Sequence, residues 1–164
     1  MRILVISDTH GNETALFRVV EAQPTARVVI HLGDGVEEAE AAAAAFPDRE
    51  FHLIRGNNDW HAGRSYPLSE ELLLRGRRLF CTHGHHYRVK MGLYDAVCAA
   101  RERQADLLLF GHTHQPLTDY EDGLYLMNPG SLGYGGTYGY VDITPAGIVT
   151  NLALDLPRRP GGDR

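Results

Sequence analysis

Five short apolar runs each end on a polar corner rich in Gly, and that alternation constrains the fold more than any other feature of the sequence. Ile3-Leu4-Val5-Ile6 leads into Ser7-Asp8-Thr9-His10-Gly11-Asn12, Arg27 to Leu32 into Gly33-Asp34-Gly35, and Phe51 to Ile54 into Arg55-Gly56-Asn57-Asn58-Asp59. Further along, Arg78 to Cys81 ends at Thr82-His83-Gly84-His85-His86, and Leu107 to Phe110 at Gly111-His112-Thr113-His114-Gln115. Continuous apolar runs of this length, largely β-branched in the first, are expected for strands covered on both faces. Between the first two, Asn12 can cap a helix whose Leu16, Val19 and Val20 fall at helical spacing before Gln23-Pro24 stops it. Between the second and third, an Ala-rich helix is expected from Val36 to Ala45, with Val36, Ala39 and Ala43 on one side. Two successive β-α-β units follow, and these call for parallel strands with right-handed crossovers.

The middle of the chain carries a hairpin signal, Glu71 to Leu74 and Arg78 to Cys81 around Arg75-Gly76-Arg77. A helix is expected from Gly92 to Arg103, presenting Leu93, Ala96, Val97 and Ala100. Turns at Asp122-Gly123 and Ala146-Gly147 separate Thr118 to Tyr120, Leu124 to Met127, Tyr138 to Ile143 and Ile148 to Leu154, which read as a meander. At 164 residues one domain is the natural expectation, spanning 1–156, with Pro157 to Arg164 as a flexible tail. The net charge of −5 includes no long block of one sign, which argues against a basic nucleic-acid-binding face. Cys81 and Cys98 are too few for a disulfide framework or a Cys-rich zinc site and read as core thiols in a reducing compartment. The apolar run after Met1-Arg2 is too short for a signal-peptide core and no stretch reaches membrane-spanning length, so a cytoplasmic, soluble protein is expected.

Several polar residues lie just beyond the carboxyl end of an expected strand: Asp8 and His10, Asp34, Asn57, His83, and His112 and His114. In α/β folds the ligand crevice lies outside those ends, so these residues should converge on one site. Singly, each has a plainer role: Asp8 as a turn former, Asp34 as a helix cap, Asn57 as a left-handed turn residue, His83 as a hydrogen-bonded strand-end histidine. Jointly, with Gly beside nearly every one, they point to a common ligand. Two carboxylates, one amide oxygen and four imidazoles suit manganese, iron, cobalt, nickel or zinc better than calcium. Seven side chains are too many for one catalytic ion with an open position; if one carboxylate bridges, they divide between two ions about 3.5–4 Å apart, a spacing used in phosphoryl chemistry.

Asp8-x-His10, Gly33-Asp34, Gly56-Asn57, His83 and Gly111-His112-x-His114, in this order, resemble the calcineurin-like metallophosphoesterases. His83-Gly84-His85 and Asn128-Pro129-Gly130-Ser131 are most similar to the small bacterial and archaeal phosphodiesterase branch. The resemblance implies an α/β fold of two mixed sheets packed face to face and flanked by helices, a four-layer α-β-β-α sandwich. It also implies that Asp8, His10, Asp34 and His114 hold a first divalent ion and that Asp34 as bridge, Asn57, His83 and His112 hold a second. A bridging hydroxide would then attack phosphorus in line, in a small phosphodiester or other phosphate-ester substrate.

The sequence departs from the family in two places. Where many relatives carry a His after the ligand Asn, this chain has Asn58, which can hydrogen-bond a leaving oxygen but not protonate it. After Ser131, where relatives tend to carry Pro and a basic residue, Leu132 to Gly139 reads Leu-Gly-Tyr-Gly-Gly-Thr-Tyr-Gly, either a mobile substrate loop or a bare connection. Asp34, His85 and Asn58 are the candidate catalytic residues, His85 as an outer partner of His83 or a substrate contact. Asp59 could orient a ligand or cap a turn. Homo-oligomers are compatible with the sequence. A non-catalytic scaffold of the same fold, acting through protein partners as a retromer sorting subunit does, is the alternative, and such scaffolds show altered metal positions.

Overall fold

The computed structural model describes residues 1–157; the flexible tail expected for Pro157 to Arg164 lies, from residue 158 onward, outside the described residues. In chain order the elements are β1 (Arg2–Ile6), α1 (Glu13–Ala22), β2 (Ala26–His31), α2 (Val36–Ala45), β3 (Glu50–Leu53), β4 (Ser69–Leu74), β5 (Arg77–Thr82) and α3 (Tyr94–Glu102). The remainder is β6 (Leu107–Leu109), β7 (Leu117–Glu121), β8 (Leu124–Asn128), the single turn α4 (Leu132–Gly135), β9 (Thr137–Thr144) and β10 (Gly147–Leu154). They form two five-stranded mixed sheets, in the orders β10-β9-β1-β2-β3 and β4-β5-β6-β8-β7.

The alternation of β1 shows why the sheets stack. Ile3 and Val5 point into an apolar cluster shared with Val28 and Ile30 of the same sheet and with Leu79, Cys81, Leu107, Leu109 and Met127 of the other. Leu4 and Ile6 point the opposite way, against Leu16, Val19 and Val20 of α1 and Ala39 and Ala42 of α2. The second sheet repeats the pattern, with Phe80, Leu108 and Leu126 turned outward onto Ala96, Ala99 and Ala100 of α3. With both faces covered, a period-two signal disappears and the strands read as continuous apolar runs. The result is the four-layer α-β-β-α sandwich, the fold class expected from the sequence.

Local signals account for most boundaries. Asn12 caps α1, its side chain accepting from the Ala15 N–H at 3.1 Å. β1, β2 and β3 are parallel neighbours, and β4 and β5 form the expected antiparallel hairpin. The buried stripe of α2 is Val36, Ala39 and Ala42, with Ala43, near the helix end, only half-buried. α3 starts at Tyr94 rather than Gly92. Cys81 is in the inter-sheet core as expected, whereas Cys98 is half-buried.

The C-terminal strands are not one meander. β7 and β8 complete the second sheet, with β8 parallel to β6, while β9 and β10 return to the first, with β9 antiparallel to β1. The crossing is made between Asn128 and Gly136. The buried Asn128 amide donates to the Gly111 carbonyl at 3.0 Å and to Thr113 Oγ1 at 2.9 Å, and its oxygen accepts from the Gly130 N–H. Val141 and Ile143 can then pack between the sheets beside β1.

Candidate metal centre

The corners that follow β1, β2, β3, β5 and β6 meet at one end of the sandwich. Backbone bonds splice them together: Asp8 N–H donates to Gly33 O at 2.9 Å, His10 N–H to Asp34 O at 3.0 Å and Gly111 N–H to His83 O at 3.1 Å. Asp8 (φ 54°), His10 (44°), Asp34 (57°), His112 (69°) and His114 (59°) all occupy the left-handed region. Asp and His tolerate it better than most residues, and clusters of such strain mark functional sites. Between the corners the fit is too close for side chains. A Cβ on Gly56 would lie 2.1 Å from Asp34 Oδ1 and 2.4 Å from its backbone nitrogen.

The donors form two groups, Asp8 with His10 and His114, and Asp34 with His83 and His112; in each, one ligand atom per residue lies within 4.8 Å of the others. In the first, Asp8 Oδ1 is 3.2 Å from His114 Nε2 and 3.5 Å from His10 Nε2, and the two imidazole nitrogens are 3.2 Å apart. In the second, His83 Nε2 is 3.4 Å from Asp34 Oδ2 and 3.0 Å from Asn57 Oδ1. Asp34 Oδ2 also lies 4.0 Å from His10 Nε2, so this carboxylate faces both groups.

Donor chemistry tests whether divalent ions fit. His83 Nδ1–H donates to the Leu32 carbonyl at 2.8 Å, which leaves the Nε2 lone pair facing Asp34 and Asn57, as a metal-bound imidazole requires. Nε2 atoms of His10 and His114 converge on one another and on a carboxylate oxygen, an arrangement a shared cation reconciles. The residues present fit the group.

The charges are strongly coupled. Burial pushes the Asp34 carboxyl up, but the hydrogen bond and charge of His83 and the two Asn58 donors outweigh it and hold Asp34 well below the usual carboxylate range. Burial pushes His83 down; without a cation at Nε2, a proton there is held by the hydrogen bond to Asp34 and the charges of Asp8 and Asp34, which overcome burial and raise the pKa. His85 and His112 are each pushed down to about 4, by burial first and then by the charge of His83.

Around the donors lies a supporting layer, much of which pattern reading does not reveal. Asp59 does more than cap a turn: Oδ2 accepts from the N–H groups of Asp34 (2.8 Å) and Gly56 (2.7 Å), and Oδ1 from those of Gly35 (3.0 Å) and Val36 (3.1 Å). One carboxylate thereby caps α2 and locks the second and third corners together. Asn58 reaches the carboxylate that faces both groups, its backbone N–H donating to Asp34 Oδ1 at 2.8 Å and its amide to Oδ2 at 2.9 Å. The His85 ring lies 5.4 Å from that of His83 and 6.1 Å from that of His112, and its buried Nδ1 has no partner among the described residues. His52, between Glu50 and Glu70, is not among the donors.

Beneath the first corner runs a buried relay that the sequence reading missed. His31 Nδ1 accepts from the Gly33 N–H at 3.2 Å, so its Nε2–H donates to Thr9 Oγ1 at 3.0 Å, and the Thr9 hydroxyl donates to Glu38 Oε1 at 2.9 Å. Glu38 also accepts from the Gly11 N–H. The relay needs a neutral imidazole, and burial lowers the His31 pKa against the pull of Asp59, Glu38 and Asp8. Thr9→Val should strand the His31 donor and destabilise the protein by about 1–3 kcal/mol in denaturant unfolding. A change within about 0.3 kcal/mol would show that the relay does not hold this corner.

Residues 1–144 match the model of the calcineurin-like phosphoesterase superfamily domain. The chain is 33% identical over 135 residues to the probable metallophosphoesterase YsnB of Bacillus subtilis, covering 80% of this chain and 75% of that protein. It is 30% identical over 168 residues to the phosphodiesterase YfcE of Escherichia coli, covering 87% and 88%. A crystal structure of a predicted phosphoesterase from Streptococcus pneumoniae superposes with a TM-score of 0.80 at 25% identity, covering 94% and 89% of the two chains. With a domain model spanning most of the chain and an ordered set of Asp, Asn and His donors at its sheet ends, this chain belongs to the calcineurin-like phosphoesterase superfamily.

Proposed function

We propose that the chain is a divalent-metal-dependent phosphodiesterase with a two-ion centre. The observation that carries this is Asp34, a carboxylate facing both donor groups, 3.4 Å from His83 Nε2 and 4.0 Å from His10 Nε2. Asp8, His10, Asp34 and His114 would hold one ion, and Asp34, Asn57, His83 and His112 the other. Such ions, when bound, supply Lewis acidity and a water that is nucleophilic near neutral pH.

The chain's own residues set the conditions. Asp34 offsets positive charge between the groups, and Asn58 fixes the orientation of its carboxylate through two hydrogen bonds. The Leu32 carbonyl holds His83 in the tautomer that keeps Nε2 free. His85, with its pKa pushed down to about 4, is uncharged at neutral pH and can hydrogen-bond a substrate oxygen but is poorly suited to protonating one. Beside the centre, a cleft of about 460 Å³ is lined by His10, Asp34, Glu37, Glu38, Asn58 and Asp59 among others, with no Lys or Arg among the described residues that line it. A diester with one charge suits that acidic wall better than a dianionic monoester, and YfcE, named a phosphodiesterase, supports the same preference. All seven ligand positions carry donor side chains, which weighs against a non-catalytic scaffold. No helix among the described residues is long and apolar enough to cross a membrane.

The test is hydrolysis of a panel of diesters and monoesters by metal-stripped protein resupplied singly with manganese, nickel, iron, cobalt or zinc. Turnover should depend on added metal and favour diesters. Turnover without metal, or a preference for monoesters, would contradict the reading.

A further inference from the structure

The Gly-rich run after Ser131 is neither a bare connection nor a free loop: its first four residues form the turn α4, bolted to the first corner, and its last three open β9. Leu132 N–H donates to Ser7 O at 3.1 Å and Gly133 N–H to Asp8 O at 3.0 Å. Ser131 Oγ donates to Asp8 O at 2.8 Å and accepts from the Tyr134 N–H at 3.0 Å. The approach is so close that a Cβ on Gly133 would fall 2.2 Å from the Thr9 carbonyl oxygen. What this anchoring holds in place is Tyr134. Its ring centroid lies 4.7 Å from that of His10, tilted by 30°, and 5.6 Å from that of His114, yet the residue is 74% exposed. An aromatic ring is thus fixed beside two members of the first donor group, with most of its surface open to solvent.

We infer that Tyr134 is a specificity-determining residue, a stacking platform for an aromatic substituent, aryl or nucleobase, on the phosphorus of the substrate. The inference rests on the phosphodiesterase reading for its setting and adds the class of ester the centre prefers. A mobile tyrosine would lose rotamer and loop entropy on stacking; this one is already ordered by its backbone bonds and by His10. Stacking tolerates many ring types, so the platform selects for aromatic character rather than one molecule.

Phosphonates provide the probe, since three equivalent oxygens let the single substituent turn toward whichever side it prefers. Phenylphosphonate and methylphosphonate should be titrated by calorimetry into the metal-loaded natural protein, Tyr134→Ala and Tyr134→Phe, with metal content measured in each. The natural protein and Tyr134→Phe should bind phenylphosphonate about three- to tenfold more tightly than methylphosphonate, and Tyr134→Ala should lose that preference while keeping its affinity for methylphosphonate. A preference absent in the natural protein (including failure of both phosphonates to bind), retained in Tyr134→Ala, or lost through equal weakening of both ligands would overturn the inference. Turnover of bis(4-nitrophenyl) phosphate by the natural protein tests the underlying reading separately. No turnover with the ring preference intact removes the phosphodiesterase and leaves the platform.

Discussion

Asp34→Asn is expected to lower kcat/KM for phosphodiesters by roughly a thousandfold or more, beyond the 10–100-fold typical of losing an outer partner of a metal ligand. The substitution preserves volume but removes the charge that faces both donor groups, where Oδ2 is 3.4 Å from His83 Nε2 and 4.0 Å from His10 Nε2. It also turns an acceptor into a donor on one side. Oδ1 and Oδ2 now accept from the backbone and amide of Asn58, and an amide at position 34 cannot satisfy both. Asn57→Ala removes one neutral candidate donor, the amide oxygen 3.0 Å from His83 Nε2, and should do less damage. Steady-state kinetics with metal content measured in parallel separates the two variants. Equal and mild losses would mean that Asp34 does not bridge.

Among aryl phosphodiesters, rates should fall steeply as the leaving-group pKa rises. General acid catalysis is typically worth about 10²–10⁴-fold, and the chain offers little of it. The Asn58 amide is engaged with Asp34 and has no proton to release, and His85 is neutral at working pH. Asn58→His should flatten the dependence where the new imidazole reaches the departing oxygen, with metal content checked because the variant also gives up the bond to Asp34. A shallow slope in the natural protein would identify another acid, His85 first.

Sequence reading reached the strands and the donors for the same reason. β1 is buried on both faces, so its apolar run is unbroken, and a polar corner such as Ser7-Asp8-Thr9-His10 stands out where it ends. Asn12 is a local signal with a local partner, Ala15, and was legible for that reason. What stayed hidden depends on contacts between segments distant in the chain. The split of the last four strands between two sheets turns on the buried Asn128, whose partners lie on the β6 corner. Glu38 reads as an acidic first-turn residue of α2, and nothing near it in sequence announces Thr9 and His31. Asp59 could be weighed only as a ligand orienter or a turn cap, although it collects four backbone donors from two corners. Tyr134 sits in a run of glycines with no periodicity, and only the docking of α4 on Asp8 brings it to His10.

The central claim is that two donor groups, sharing Asp34, hold two ions. Titration of the metal-stripped protein with manganese or zinc, followed by metal analysis of the desalted protein and of a His10→Ala variant, tests it most directly. The account predicts saturation near two ions per chain in the natural protein and a reduced count, approaching one, in His10→Ala. Saturation of the natural protein at one ion, or a count unchanged by His10→Ala, would contradict it.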